Sequence, residues 1–563
     1  MNETGGLFPF RLAWIIPVAA VVTLGLGVWA WTDQHQAIDE ALYRAVALFD
    51  IDGNSYSHGE AMKDWRFRVG RWTGAGVVLS SLLALAALLH EHLATGLARW
   101  TKQAVVVVGG APLALAAFEA ARQSGRSTLW LGAAAFGSAS FHDIALAWPQ
   151  RERARAVREH AHNADHVLVA NDDDAEALSL ARAARVAAPD ARITVLMHDM
   201  RLAEDAAATL NEPKTRVLST AAVAARALAA AHPPFLIARQ RGHRRIHALM
   251  VGFGQTGQAI ARDLIVNCRT TYLELPRITV IDPQAKALEG VLRVRAPELD
   301  QCADTLFIDG EIGGRAVRPN PAVIARDLAA GGPLTVAYVC LTEDVGALSA
   351  AATLQSLLRA MDIDQPPIFV QLRKARIVGD GDGGGLDALT AFGELDQVLE
   401  ASEFLANAPD VAARAFCEAY RAGLPAAERD DPANRSAYPW DRLDETWRQA
   451  NRDVVAHIPA KLASANIPPE RWRGAGELPR LDEAERLYHG HSDLENLARL
   501  EHERWMAQRR MDGWRSSTAP SKDESRRLHP SLQAYDALTE QVKEYDRVFV
   551  RQTQRAVREE PDD

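Results

Sequence analysis

A glycine-rich turn between two short apolar runs constrains the fold of this chain more than any other feature. The apolar run 248–251 leads into a turn of six residues: Gly252, Phe253, Gly254, Gln255, Thr256 and Gly257. A helical pattern follows, and a second apolar run, 278–281, ends at Asp282. A G-x-G-x-x-G motif between a strand and a helix, with an acid at the tip of the next strand, predicts a Rossmann-type α/β unit.

The residue types in this turn suit the binding of a dinucleotide. Gly252 permits the tight turn, Gly254 lets a pyrophosphate approach the backbone, and Gly257 lets helix and strand pack closely. The N-terminus of the helix offers unpaired N–H groups and a positive dipole to phosphate. Asp282 is a candidate acceptor for ribose hydroxyls, which favours an unphosphorylated ribose. We therefore expect NAD(H) or another adenine nucleotide; the alternative is a Rossmann unit that has lost its ligand.

A degenerate copy of this motif lies earlier in the chain. The apolar run 104–108 leads into a turn in which Ala111 and Ala114 occupy the positions of the second and third glycines. The next run, 128–131, ends at Gly132 instead of an acid. Without the second glycine and the acid, phosphate approach is hindered and ribose recognition is missing. We predict that this copy keeps the fold and does not bind a dinucleotide.

Each copy continues with a strand that ends in polar or acidic residues. Residues 166–174 in the first copy match residues 335–344 in the second. Strands that alternate with helices predict parallel, doubly wound sheets. Thr342 and Glu343, at the tip of the second strand, are further candidates for ligand contact. The alternative is that such acids cap the following helix. Residues 390–423 are predicted to be mostly helical.

Two apolar segments near the start are candidate membrane helices. Residues 12–31 carry no charge and are long enough to cross a bilayer, and residues 72–89 form a second uncharged segment. A cleaved signal peptide is the alternative for the first segment. The positive-inside rule would place the intervening loop, with Lys63 and Arg66, in the cytoplasm. Nucleotides and reduced thiols belong to the cytosol, so we instead expect a multi-pass protein of the inner (cell) membrane whose large C-terminal part is cytoplasmic.

Charge and cysteine usage narrow the classes of function. The net charge is −10, from 63 basic against 73 acidic residues, which argues against a nucleic-acid partner. The four cysteines lie far apart and read as buried thiols in a reducing compartment: Cys268, Cys302, Cys340 and Cys417. No cluster of histidines and cysteines has the spacing of metal ligands, so no metal site is predicted.

The last part of the chain contains paired tryptophans beside arginines. Residues 497–514 are predicted to be helical, and residues 528–550 complete the same small helical module. In principle, two of the tryptophans can stack a purine while an arginine holds its phosphate. A possible ligand site therefore includes Trp505, Arg509, Trp514 and His529. The alternative is that the tryptophans form the core of a small module, the arginines face solvent, and His502 and His529 are structural.

Two resemblances follow from these motifs. Apolar helices followed by Rossmann units with GFGQTG and a strand-tip LTED resemble the RCK (regulator of potassium conductance, Trk-type NAD-binding) domains over about residues 101–400. Such domains bind NAD(H), ATP, ADP or ions and pair face to face. The C-terminal block resembles the RyR repeat of ryanodine receptors, through these positions: Glu501, His502, Trp505, Gly513, Trp514, His529, Pro530, Leu538, Lys543 and Asp546.

The sequence therefore predicts two N-terminal transmembrane helices, two tandem Rossmann-like α/β domains with doubly wound parallel sheets, and an all-α RyR-like domain. The expected regions are a membrane region at 1–100, a degenerate Rossmann unit at 101–240, a nucleotide-binding Rossmann unit at 241–400, a helical linker at 401–485, and the RyR-like domain at 486–555.

The resemblance implies a membrane-anchored, nucleotide-responsive regulator or effector linked to potassium-type ion transport or channel gating. Its partners would be a nucleotide-type small molecule, the lipid bilayer and further copies of the chain, in a dimer or tetramer, since two helices cannot enclose a pore. One alternative is a non-conducting scaffold whose RyR domain binds a partner. The other is a membrane-attached NAD-dependent oxidoreductase. No catalytic arrangement follows the fingerprint, so we predict no catalytic residues and no enzyme.

Overall fold

The computed structural model describes residues 8–49, 64–100, 103–110, 112–133, 137–140, 143–147, 153–210, 214–313, 316–373, 389–406, 410–432, 434–472 and 491–553. The chain divides into two compact units, Met1–Thr101 and Lys102–Asp563.

The first unit is a helical hairpin. Its helices are α1 (Phe8–Asp33), α2 (Ile38–Val46) and α3 (Trp65–Trp100). Helix α1 packs along α3, and the hydroxyls of Thr23 and Thr73 share a hydrogen bond of 2.7 Å between them. Leu48 packs with Ala30 and Phe67 in a small core at one end. Both segments predicted to cross the membrane are therefore helical, and α3 extends well beyond residues 72–89.

The second unit begins with a seven-stranded sheet. Its elements are β1 (Gln103–Val108), α4 (Pro112–Gln123), β2 (Thr128–Ala133), β3 (Gly137–Ser140), β4 (Asp143–Ala147), α5 (Arg153–His160), β5 (Ala164–Ala170), α6 (Asp174–Ala187), β6 (Arg192–Met197), α7 (Met200–Leu210), β7 (Thr215–Ser219), α8 (Thr220–Ala231) and α9 (Pro234–Gln240). The strand order is β3-β4-β2-β1-β5-β6-β7, and only β3 runs antiparallel. Without β3, this is the 3-2-1-4-5-6 order of a Rossmann sheet.

A second sheet repeats this order. Its elements are β8 (His247–Val251), α10 (Gln255–Val266), β9 (Arg277–Asp282), α11 (Ala285–Arg295), β10 (Asp304–Asp309), β11 (Glu311–Ile312), β12 (Val317–Arg318), α12 (Pro321–Ala330), β13 (Val336–Val339), α13 (Asp344–Ala360), β14 (Ile368–Gln371), β15 (Leu389–Phe392) and α14 (Leu395–Ala401). The six-stranded order is β10-β9-β8-β13-β14-β15, all parallel. The prediction of tandem Rossmann-like sheets is confirmed.

One region predicted to be mostly helical has helices at 395–401 and 411–423 but starts as a strand. Residues 390–423 were expected to be mostly helical, but they begin in β15, the last strand of the second sheet. The strand is four residues long, with Leu389 and Phe392 buried at its ends. A segment this short carries no readable period of its own, and its pairing with β14 decides its conformation.

The two Rossmann units exchange helices. Helix α8, after the last strand of the first unit, packs against α10 of the second unit, and Leu228 lies in the same core as Ile260. In return, α14 of the second unit packs against α4, where Val398 shares a core with Ala117. Each unit therefore completes the other's hydrophobic core.

The rest of the chain is helical, as predicted, apart from one pair of two-residue strands. Its elements are α15 (Val411–Gly423), α16 (Ala426–Arg429), α17 (Glu445–Ala456), α18 (Ile458–Ser464), α19 (His491–Met511), β16 (Arg515–Ser516), β17 (Leu528–His529) and α20 (Glu540–Thr553). Helices α19 and α20 pack together, α15 contacts both α17 and α20, and α19 also contacts α10. The described part of the region predicted as a linker thus packs against its neighbours.

One helical stretch in the described part of the chain has the length and hydropathy of a membrane span, and it is neither of the predicted segments. Residues Thr220–Gln240 meet these criteria, but α8 and α9 are separated there by His232 and Pro233. Phe235 of this stretch lies in the Rossmann core, so we interpret it as an interior helix pair. Pro17–Asp33 of α1 is a shorter apolar stretch. That α1 and α3 cross a membrane stays a prediction.

A buried histidine at the start of β8 predicts acid sensitivity. The ring of His247 donates from Nδ1 to the carbonyl of Gly332 at 2.9 Å, and its Nε2 lies 3.0 Å from the Thr279 hydroxyl. Burial lowers the pKa of His247 to about 4. Because the folded state disfavours the charged ring, its stabilising effect is complete above the unfolded pKa of about 6.5 and is lost as the pH falls towards 4.

We therefore expect His247→Asn to remove part of the pH dependence of stability. Between pH 7.5 and pH 5, the wild type should lose about 2 kcal/mol more than the variant. Thermal or denaturant unfolding at the two pH values measures this difference. His198, whose side chain is exposed, supplies the control His198→Gln, which should behave as the wild type does. Equal losses in the wild type and His247→Asn would contradict the prediction.

Candidate nucleotide-binding site

Two glycines of the fingerprint are required by the fold itself. Gly252 follows β8 with a φ of +89°, and a Cβ there would lie 2.5 Å from the carbonyl oxygen of Cys340. A Cβ at Gly257 would lie 2.6 Å from the carbonyl oxygen of Gly252. Both distances are far below van der Waals contact. These two positions therefore accept only glycine, whether or not a ligand binds.

Gly254 differs from both. Its φ is −68°, which any residue adopts, and a Cβ there would have no heavy atom within 4 Å. The residue is exposed and precedes the first residue of α10. Neither backbone conformation nor packing explains a glycine here. The missing side chain leaves open space directly before the N-terminus of the helix.

The backbone around Gly254 presents free donors. Within the described residues, no acceptor takes the N–H groups of Gln255, Thr256 or Gly257. The N–H of Phe253 is used, since it donates to Asp282 Oδ2 at 2.9 Å. Its ring is buried edge-on against Phe307, so Phe253 anchors the turn in the core. The first turn of α10 therefore has the unpaired donors and the dipole that suit phosphate.

Asp282 holds the turn in place and keeps acceptor capacity. Its Oδ2 accepts the N–H of Phe253, and its Oδ1 accepts the N–H of Gln284 at 2.8 Å. A carboxylate offers about four acceptor positions, so two remain for ribose hydroxyls. The predicted ribose acceptor thus lies at the tip of β9, bonded to the glycine turn.

The first Rossmann unit contributes a wall to this site, which the sequence did not predict. The side chain of Gln255 donates from Nε2 to Asp199 Oδ2 at 2.9 Å and accepts the N–H of Met200 at 3.0 Å. Asp199 lies between β6 and α7 of the first unit, and Met200 is the first residue of α7. A ligand above Gly254 would therefore contact the edge of both units.

The strand-tip acids of the two units differ in helix capping. Asp173 of the first unit caps α6 by accepting the N–H groups of Ala175 and Glu176. Glu343 occupies the same place before α13, but its side chain makes no capping bond. Thr342 and Glu343 are both exposed at the tip of β13. Helix capping therefore explains the acid of the first unit. In the second unit, the Glu343 carboxylate is not used as a helix cap.

The degenerate turn of the first unit is closed by its own backbone. A Cβ at Gly132, the position equivalent to Asp282, would lie 2.0 Å from the carbonyl oxygen of Gly109. The same carbonyl accepts the indole N–H of Trp130 at 2.8 Å. No side chain fits at the position where an acid would bind ribose. That the first unit binds no dinucleotide stays a prediction.

Trp505, Arg509, Trp514 and His529, the residues of the possible C-terminal ligand site, lie together. The ring of His529 meets Trp505 and Trp514 edge-on, with centroids 5.0 and 5.9 Å apart. The guanidinium of Arg509 lies against both indoles. His502 stacks on Trp505 and donates to the carbonyl of Gln533 at 2.9 Å, so it is a structural histidine.

Trp447 also contacts this cluster of tryptophans and Arg509, although no sequence motif includes it. Its ring centroid lies 4.8 Å from the Arg509 guanidinium carbon. It comes from α17, far from Arg509 in the chain, so no local spacing could have revealed it.

The four cysteines are poorly placed to act as nucleophiles. All four cysteines are unpaired and buried, and burial raises the pKa of Cys340 to about 12. Among the residues that the structure describes, no group of histidines, cysteines or acids could hold a metal ion. A cavity of about 270 Å³ lies near His166, at the N-terminal ends of β5, β6 and β7 in the first sheet. Its charged walls are already paired, as in Arg216 with Asp410.

Comparisons with known proteins were made with curated sequences, solved structures and family models. No curated protein matches the chain. Among solved structures, GsuK bound to ADP gives a TM-score of 0.34 at 11% identity, covering 71% of this chain and 97% of GsuK. The GsuK channel bound to NAD gives 0.35 at 11% identity, covering 70% and 82%. A dipicolinate synthase chain from Bacillus halodurans gives 0.20 at 10% identity, covering 54% and 97%.

These scores carry no functional argument by themselves. The C-terminal match is of another kind, because residues 489–559 fit the family model described as RyR domain. The chain therefore joins two tandem Rossmann units, seen in its own strand order, to a C-terminal RyR domain.

Proposed function

We propose that this chain is a membrane-anchored regulator whose second Rossmann unit binds NAD(H) or another adenine nucleotide, and that the bound ligand controls the N-terminal helices. The observation that carries the proposal is Gly254. A glycine costs conformational entropy when the chain folds, and the fold does not require a glycine at this position. A pyrophosphate that approaches the N-terminus of α10 does need it, since any side chain would occupy the same space.

The N-terminal helices expose an apolar surface that suits lipid. Aliphatic side chains on both α1 and α3 are more than two-fifths exposed: Val18, Val21, Val22, Val69, Leu79, Leu82, Leu83 and Leu85. Soluble helices rarely expose so many apolar side chains together. We propose that these helices lie in the inner membrane, with the second unit in the cytoplasm. A symmetric dimer or tetramer would supply the further helices that an ion pathway requires.

A ligand can control such helices only if it binds two conformations with different affinity. The fingerprint helix α10 makes ion pairs with helices outside its own Rossmann unit, and a ligand that moves α10 would alter them. Arg262, two turns beyond Gly254, lies 3.2 Å from Asp453 of α17 and 3.3 Å from Asp512 at the end of α19. A shift of α10 on ligand binding would therefore change ion pairs with the helical region and with the RyR domain.

Ligand-dependent stability tests the binding step. NAD, NADH, ATP, ADP-ribose, ADP, NADP and cyclic nucleotides would be added separately to the purified full chain. At a hundred times its dissociation constant, a bound ligand should raise the free energy of unfolding by about 2.7 kcal/mol. We expect this shift with NAD(H) or ADP and a smaller one with NADP, whose 2′-phosphate would face Asp282. If no compound produces a shift, the alternative of a non-binding scaffold is favoured.

Potassium flux into liposomes tests the effector step. We expect the flux through the reconstituted chain to change when the stabilising nucleotide is added. A flux that stays flat with every nucleotide would contradict a link to ion transport, while leaving the binding result intact. Turnover of a reduced nicotinamide, seen as a loss of its absorbance with a candidate substrate, would instead favour the oxidoreductase. We propose that the chain is not an enzyme.

A further inference from the structure

Arg509 is a nearly buried cation enclosed by indole rings. Its side chain is 8% exposed, and its guanidinium carbon lies 4.8 Å from the ring centroid of Trp447, 6.0 Å from that of Trp505 and 5.8 Å from that of Trp514. The three rings come from α17, from α19 and from the turn after α19. Aromatic faces attract a cation, so this arrangement holds the guanidinium in a fixed position.

Within the part of the chain that the structure describes, the Arg509 nitrogens have no anionic partner. Among the described residues, no hydrogen bond or ion pair involves the Arg509 side chain. The other two arginines near it on α19 are paired, since Arg504 lies 2.9 Å from Glu501 and Arg510 lies 3.0 Å from Glu298. A buried charge without a counterion is costly, and proteins seldom keep one without use.

The nearest acids are already engaged. Asp512 lies 3.3 Å from Arg262, and Glu524 lies 3.0 Å from Lys522. Two donors also border the cage, and one of them, Lys522, pairs with Glu524. The ammonium of Lys522 lies 5.9 Å from the Trp447 ring centroid. His529 Nδ1 accepts the N–H of Ser531, which leaves Nε2 as the N–H donor of a neutral ring. Within the described residues, Arg509 is therefore a cation of the cage without a counterion, and an added anion would supply one.

We propose that Trp447, Trp505, Arg509, Trp514, Lys522 and His529 form a second ligand site, for the phosphate of a small nucleotide. The phosphate would pair with Arg509, and the indole surfaces would take the planar base. Because Trp447 lies outside the segment that matches the RyR domain, the site is complete only when α17 packs against that domain. It is separate from the turn at Gly254 and does not depend on ligand binding there.

Equilibrium dialysis with radiolabelled ADP, ADP-ribose and cyclic AMP tests this site in the full chain. The Gly254→Val background silences the Rossmann site. We expect one of these probes still to bind, and inorganic phosphate to compete with it. Arg509→Gln should weaken this binding at least about tenfold, as expected for a lost charge-assisted hydrogen bond. Trp447→Ala should weaken it by a similar factor, whereas Arg515→Gln, which removes an exposed arginine nearby, should have no effect.

Stability without ligand separates a binding role from a structural one. An arginine that awaits an anion is an unpaired buried charge, so Arg509→Gln should leave the melting temperature of the ligand-free chain unchanged or raised. A clear fall would identify Arg509 as a structural clamp for the three tryptophans and overturn the proposal. The proposal is also wrong if no probe binds in the Gly254→Val background, or if Arg509→Gln binds as tightly as its parent.

Discussion

Replacing Gly254 by valine should abolish nucleotide binding at the Rossmann site while leaving the chain folded. The valine side chain would fill the space before α10 that a pyrophosphate needs. Each charge-assisted hydrogen bond lost with the phosphate is worth about 1.5–3 kcal/mol, so affinity should fall about a hundredfold or more. Stability should change by less than about 1 kcal/mol, because only a modest N-cap preference is lost.

The measurement is dialysis of radiolabelled NAD or ADP against the full chain, in an Arg509→Gln background that silences the second site. Asp282→Ala should also weaken binding, but it removes the bond to the Phe253 N–H and so affects the turn as well. Gly252→Ala is the matched structural control. Its φ of +89° and the 2.5 Å approach to Cys340 predict a loss of stability of about 1–3 kcal/mol or more. Unchanged affinity in Gly254→Val would remove the basis of the proposed function.

Replacing Glu501 by alanine should cost about 3–5 kcal/mol of stability, the largest structural effect we expect from one side chain. Glu501 is completely buried on α19, with Lys461 Nζ 2.6 Å from Oε2 and Arg504 Nη2 2.9 Å from Oε1. Burial opposes its ionisation, but Arg504 and Lys461 together hold the pKa of Glu501 well below its usual value. Without this carboxylate, two cations remain buried and unpaired.

Denaturant unfolding of the full chain measures this loss. Glu503→Ala is the matched control, because Glu503 lies on the same helix, is only partly buried, and forms no ion pair within the part of the chain that the structure describes. It should change stability by less than about 0.5 kcal/mol. Adding Lys461→Met to Glu501→Ala should recover part of the loss, since one unpaired charge is removed. Equal stabilities of the two glutamate variants would show that the buried cluster contributes nothing.

Asp453 joins the two regions that these predictions address. Its Oδ2 accepts from Arg262 of the fingerprint helix and, at 3.0 Å, from Gln508 of α19. One buried carboxylate of α17 thus contacts both the nucleotide-binding unit and the RyR domain. Ligand binding at either site can bias the other only through elements that change together, and Asp453 is a direct contact between the two regions.

Local sequence determined the Rossmann units, the glycine turn and the residues around it. Alternating apolar runs and helical patterns depend on neighbours a few positions apart, and the geometry at Gly252 and Gly257 is imposed within a single turn. The sequence also selected Trp505, Arg509, Trp514 and His529, because three of them lie within a few residues on one helix and its following turn.

Tertiary structure alone decided what distant segments contribute. The wall at Asp199, the exchange of α8 and α14, the strand at Leu389, and the tryptophan at position 447 all depend on contacts between residues far apart in the chain. A short strand or a single aromatic residue has no periodic signal. Its place is set by the partner on which it buries apolar surface, and that partner is known only when the chain has folded.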